Sequence, residues 1–127
     1  MSEVALDASA LLAFLRKEPG QQVVRKHLAQ SIISTVNIAE VLGKAIERKI
    51  GLDVAIAKIR ALPITIVPFD FQQAAICGTM REPTRHLGLS LGDRSCLALG
   101  LARKIPVLTT DEEWLKADLG VEVRLIR

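Results

Sequence analysis

Five short runs rich in branched apolar residues recur along this chain, separated by longer segments of helical period, and that alternation is the signature of a parallel sheet flanked by helices. The runs are Val4 to Leu6, Ile32 to Ser34, Thr65 to Val67, Val107 to Thr109 and Glu122 to Leu125. Between them Leu11, Leu12, Phe14 and Leu15 mark one apolar face, stopped at Pro19-Gly20, and Val23, Val24 and Leu28 mark the next. From Asn37 the spacing of Ile38, Val41, Leu42, Ala45 and Ile46 predicts a helix running to a terminator at Gly51. Further helices are predicted over Leu52 to Leu62, Phe71 to Met80, Leu91 to Ala102 and, briefly, Glu112 to Ala117. At 127 residues the chain builds a single α/β domain, 1–127, with one covered sheet.

Each strand ends in a polar residue after three or four positions. Asp7 follows the first, Thr35 and Asn37 the second, Thr110 and Asp111 the fourth. In an open parallel sheet all of these lie at the carboxyl edge, where such folds bind ligands. Taken singly, each acid has an ordinary structural role. Asp7 is placed to cap the helix beside it, Asn37 to Glu40 and Thr110 to Glu113 have capping-box spacing, and Ser90 to Asp93 fits the looser Ser-x-x-Asp form. Taken together, Asp7, Glu40, Asp93 and Asp111 are four acids that the fold aims at one cleft. Two carboxylates about 4 Å apart repel by roughly 4 kcal/mol at an effective dielectric of 20, so such a cluster either takes up protons or holds a cation. Oxygen ligands without His or Cys favour Mg²⁺ or Mn²⁺ over zinc.

Four sequence blocks carry a resemblance. LDASALLAFL, TVNIAEVLGKA, LSLGDRSCLALGLARK and VLTTDEEW, in that order and spacing, make the chain similar over essentially its whole length to the PIN-domain ribonucleases, and within them to VapC-type toxins of toxin–antitoxin pairs. The resemblance implies a five-stranded parallel sheet in the order 3-2-1-4-5 and a divalent-metal-dependent endoribonuclease that hydrolyses RNA through an activated water. The family's acids carry over to Asp7, Glu40, Asp93 and Asp111 as catalytic and metal-binding residues, Asp7 and Asp93 as direct ligands, Glu40 and Asp111 through water or at a second ion. Ser9 and Thr110 match hydroxyls that orient ligands. Asn37 stands where the family often has Ser or another small polar residue, and is read as a helix cap before a site residue. The resemblance also implies a homodimer and a cognate antitoxin lying along the active-site groove.

Composition narrows the partners. Net charge is +3 with the basic residues scattered, which permits a polyanion without demanding one. Three Phe, one Trp and no Tyr argue against a sheet surface that stacks bases on aromatic rings. Arg81 and Arg85, with His86, stand in the turn-rich EPTRHLG before the third acid, and Arg94 directly follows that acid; these are the candidate substrate-binding cations. Since neighbours on a helix diverge by roughly 100°, Asp93 and Arg94 cannot both face the cleft squarely. His27 and His86 lack partners at ligand spacing, and Cys77 and Cys96 read as reduced, buried thiols of a cytoplasmic protein. No apolar run approaches the ~18 residues of a membrane span, and MSEV lacks the basic start of a secretory signal.

Rival α/β phosphate chemistries fit less well. A haloacid-dehalogenase phosphatase needs D-x-D after the first strand where this chain has D-A-S, and a receiver domain needs an acid pair there and a late Lys after a strand. The alternative kept open is a catalytically silent PIN-fold module acting through protein or RNA partners.

Overall fold

A computed structural model describes residues 2–127. Strands β1 (Val4–Leu6), β2 (Ser31–Ser34), β3 (Thr65–Val67), β4 (Val107–Thr109) and β5 (Val123–Leu125) form one sheet in the order β3-β2-β1-β4-β5, every pairing parallel. The alternation of strand and helix suits this parallel pairing, because parallel neighbours can be joined only by crossovers. The three central strands are fully buried and the edge strands are not.

Side-chain alternation divides the interior into two cores. Val4, Leu6, Ile33 and Leu108 point to one face and pack with Leu11, Val24, Val41 and Ile59 of helices α1 (Ala8–Leu15), α2 (Gln21–His27), α3 (Thr35–Glu47) and α4 (Leu52–Arg60). Ala5, Ile32 and Val107 point to the other and meet Cys77 of helix α5 (Phe71–Thr79), Met80 at its junction with α6 (Arg81–Thr84), and Leu97 and Leu99 of α7 (Leu91–Arg103). Trp114, on a 3₁₀ turn over Glu112–Lys116, fills this second core and is fully buried. Helix α7 lies close on the sheet: a Cβ at Gly100 would stand 2.5 Å from Val107 Cγ1.

Several helix ends differ from the sequence expectation. Helix α3 begins at Thr35 with Ser34 as its cap, accepting from the Val36 amide at 3.1 Å, so Asn37 and Glu40 lie inside the helix and form no capping box. Its end comes at Glu47, with Lys49 at φ +65°, and Gly51 caps the start of α4 instead. The last helix is capped by Asp111 rather than Thr110 and is a 3₁₀ turn. Gly20 is required where it stands: φ is +96° and a Cβ would lie 2.7 Å from the Ile126 carbonyl oxygen. Among the described residues no helix is long and apolar enough to cross a membrane, and Cys77 and Cys96 are free and buried.

Candidate active site

Parallel register brings the first and last acids together. Ala5 pairs with Val107 and Leu6 with Leu108, so one step further outward stand Asp7 and Thr109, both on the α7 side of the sheet by alternation. Thr109, fully buried, donates its hydroxyl to Asp7 Oδ2 at 2.6 Å and accepts from the Asp111 amide at 3.1 Å. The other oxygen of Asp7 accepts from the Ser9 hydroxyl at 2.7 Å and from the Ala10 amide at 2.8 Å, capping α1. Ser9 in turn accepts from the Thr110 amide at 3.0 Å, which ties the loop after β4 to the start of α1. The hydroxyl that meets Asp7 is that of Thr109, whereas Thr110 contributes its amide and lines the cleft.

Helices deliver the remaining acids. Ser90 and Asp93 form a reciprocal capping box at the start of α7, with Asp93 Oδ2 accepting from the Ser90 amide at 2.9 Å. Asp111 caps the 3₁₀ turn by accepting from the Glu113 amide at 3.0 Å. Glu40, one turn inside α3, accepts from Asn37 Nδ2 at 2.8 Å. All four acids, with Ser9, Thr110 and Lys44, line a single open cleft of about 400 Å³ at the carboxyl edge.

The electrostatics of this cleft are those of crowded, partly dehydrated carboxylates. Burial raises the pKa of Asp7 from 3.8 to about 6 against the pull of its three hydrogen bonds, and the charge of Asp93 adds to the rise. Burial also raises Asp93, opposed by Ser90 and aided by Asp111. Beneath them the wholly buried Cys96 thiol is pushed up by burial first and then by Asp7, Asp93 and Glu40. A cation in the cleft would stabilise the ionised form of every one of these acids.

Among the described residues, however, no three Asp, Glu, His or Cys side chains are gathered closely enough to ligate an ion as they stand. The expected tight convergence is thus not what the fold builds. Three of the four carboxylates are held by backbone amides at helix starts, Asp7 to Ala10, Asp93 to Ser90 and Asp111 to Glu113, and like charges favour separation. An oxygen-only set spaced round an open cleft fits a hard ion that keeps several of its waters, as Mg²⁺ does, and does not fit a tightly caged metal. Asp7, Glu40, Asp93 and Asp111 are the residues that would hold it.

The predicted substrate cations are elsewhere. Arg94 is buried in the seam between α5 and α7, where it donates at long range to the Cys77 carbonyl at 3.4 Å and to Cys77 Sγ at 3.9 Å and leaves Nε without a partner. Arg81 and Arg85 are exposed, Arg85 pairs with Glu82 at 3.1 Å, and neither lines the cleft. Lys44 lines it instead, one helical turn beyond Glu40, held only by an exposed contact to Glu47 at 3.8 Å. The i to i+4 spacing from Glu40 was the sequence signal for it. His27 and His86 stand outside the cleft, His27 Nδ1 lying 3.0 Å from the Val23 carbonyl oxygen.

The PIN-domain family model matches residues 4–119. No curated protein matches the chain in sequence. Among solved structures the chain is similar to DNA-bound VapBC from Salmonella typhimurium, with TM-score 0.78, 16% identity and 100% of both chains covered. It is also similar to a toxin–antitoxin complex from Klebsiella pneumoniae, with TM-score 0.76, 16% identity and 98% of each chain covered. A third is VapBC-5 of Mycobacterium tuberculosis, a member of the VapBC family of toxin–antitoxin systems, with TM-score 0.63, 18% identity, 100% of this chain and 99% of that one. At these identities the likeness is one of fold.

Proposed function

Because the chain belongs to the PIN-domain family, we propose that it is a divalent-metal-dependent endoribonuclease, the toxin of a toxin–antitoxin pair, acting in the cytoplasm. The observation that carries the reading is the cleft itself. Asp7, Glu40, Asp93 and Asp111 come from four segments of the chain to line one open space, and Asp7 is buried at its floor at the cost of a raised pKa. Perturbed acids in a cleft are a mark of functional sites.

Bound Mg²⁺ or Mn²⁺ would supply a water acidic enough to act near neutral pH and positive charge against the phosphate. The chain's own residues do the rest. Thr109, Ser9 and the Ala10 amide fix the two oxygens of Asp7, so that the one lone pair left, on Oδ2, faces a set direction. Asp93 and Asp111 each spend one oxygen on a backbone amide and present the other. Lys44, the cation among the cleft-lining residues, is placed to meet a substrate phosphate. No nucleophilic side chain is required.

A protein partner is supported by apolar surface on α3, α4 and β3. Ile38 and Leu42 of α3, Ile56 and Ile59 of α4 and Ile66 of β3 line a groove of about 420 Å³, and Ile46, Leu52, Val54 and Ile66 are exposed. A cognate antitoxin and a second copy of the chain are the partners this surface suits.

The test is incubation of the purified, antitoxin-free protein with total RNA and Mn²⁺. We expect cleavage that EDTA and Asp7→Asn both abolish while the circular dichroism spectrum is kept. The looseness of the acid cluster favours one other reading, a silent PIN-fold module acting through partners. Intact RNA under Mn²⁺ selects the module and rejects the nuclease.

A further inference from the structure

Glu40 differs from the other three acids in having no backbone amide to hold it. Its restraint comes from two residues on facing helices. Asn37, one turn earlier on α3 and 1% exposed, donates through Nδ2 to Glu40 Oε1 at 2.8 Å and to the carbonyl oxygen of Gly92 at 3.0 Å. Both partners are acceptors only, so the amide has a single possible orientation, with both N–H groups used. The other end of the amide, Oδ1, is buried without a partner. A hydroxyl has one hydrogen and could serve only one of the two acceptors, which gives a reason for tolerating an orphaned oxygen at this position.

Gly92 completes the arrangement. A Cβ at that residue would lie 2.5 Å from Glu40 Cδ and Oε2, far inside contact distance, so the carboxylate occupies the space a side chain would take. The obstructing atoms are the far end of a flexible side chain. A substitution at 92 therefore moves Glu40 and leaves the backbone in place. Gly92 also immediately precedes Asp93, so the same contact sets Glu40 against the helix turn that carries the third acid.

We propose that Asn37 and Gly92 form a seat that aims the Glu40 carboxylate into the cleft, both acting as positioning residues for the divalent ion. The proposal rests on the nuclease reading of that cleft. What it adds is that the aim of Glu40 is set by a missing side chain on one helix and a two-donor amide on the other.

The experiment compares Gly92→Ala, Asn37→Ala and a control, Gly43→Ala, which is exposed on the same helix α3 with nothing within 4 Å of its Cβ. Melting temperatures are measured in EDTA, with Glu40 intact and in a Glu40→Ala background, and Mn²⁺ affinity is measured by calorimetry. The seat predicts a reversal of sign. Gly92→Ala lowers Tm while Glu40 is present and raises it once Glu40→Ala has emptied the space, since alanine is the better helix former. Mn²⁺ affinity falls about tenfold or more in Gly92→Ala and Asn37→Ala and is unchanged in Gly43→Ala. Shifts of the same sign in both backgrounds overturn the seat. A reversal accompanied by unchanged Mn²⁺ affinity in both variants shows packing alone and overturns the aiming role. Absence of Mn²⁺ binding by the unsubstituted protein refutes the nuclease reading and the aiming with it, while the Tm reversal still decides whether Gly92 seats Glu40.

Discussion

The hydroxyl of Thr109 donates to Oδ2 of Asp7 at 2.6 Å, joining residues 102 positions apart through the register of β1 on β4. The same hydroxyl oxygen accepts from the Asp111 amide, so one side chain fixes the first acid and the loop of the last. Thr109→Val keeps the shape and removes the donor. It is expected to reduce Mn²⁺ affinity and cleavage by about 10- to 100-fold with the fold intact. Parallel calorimetry and cleavage assays on Thr109→Val and Thr110→Val check this, the second variant losing much less.

Burial of Asp7 carries a dependence on pH. Well below pH 3.8 the carboxyl is protonated folded and unfolded alike, and its burial costs little. Between 3.8 and about 6 the unfolded chain ionises while the folded one holds its proton, so folding takes up a proton and stability falls as pH rises through this window. The rise in pKa corresponds to about 3 kcal/mol of stability absent at pH 7. In EDTA, Asp7→Asn should therefore melt above the unsubstituted protein at pH 7 and converge with it near pH 4. Mn²⁺ should raise the Tm of the unsubstituted protein and leave that of Asp7→Asn nearly unchanged. Calorimetric melts from pH 4 to 8 decide it.

Lys44 and Arg94 separate by salt. A lysine that meets a phosphate releases a counterion, so Lys44→Ala should flatten the slope of log affinity against log salt by about 0.7 for single-stranded RNA. Arg94, turned into the α5–α7 seam, should leave that slope unchanged on replacement by Met and alter only the melting temperature. Binding titrations at several salt concentrations, run in Ca²⁺ to suppress cleavage, distinguish the two.

Gly20 and Gly51 look alike in the sequence, each beside a helix end, yet the structure gives them opposite tolerances. Gly20→Ala meets both a φ of +96° and the Ile126 carbonyl, and should cost about 1–3 kcal/mol or more. Gly51 has φ −62° and open space, so Gly51→Ser is expected to be neutral or slightly stabilising. Urea denaturation of the two variants measures the difference.

The sheet and the four acids were legible because their signals are local: short branched runs, Asp7 and Asp111 where two of those runs end, and Glu40 and Asp93 at capping-box spacing within the resembling blocks. What was not legible depends on geometry between segments. Whether Thr109 or Thr110 meets Asp7 turns on the parity of β4 against β1, since one residue of register moves a side chain to the opposite face. Arg94 was ambiguous because its direction depends on how α5 lies across α7. Gly92 gave no signal at all, for a glycine inside a helix reads as a weak helix former until the side chain occupying its space is seen. Asn37 and Glu40 have capping-box spacing, and only the true cap at Ser34 shows that they sit a turn too deep.

Asp7 and Asp111 cap the helical turns that follow them and Asp93 stands in the first turn of α7, each accepting a backbone amide there. Truncating any of them to alanine would strip a scaffold bond together with a charge, and a dead protein of that kind could owe its silence to fraying. Asparagine leaves one acceptor in place, which serves the single amide bond of Asp93 and of Asp111 but not both bonded oxygens of Asp7. The amide forms of Asp93 and Asp111 are therefore the proper inert decoys for trapping uncut RNA or a neutralising partner on an undisturbed frame.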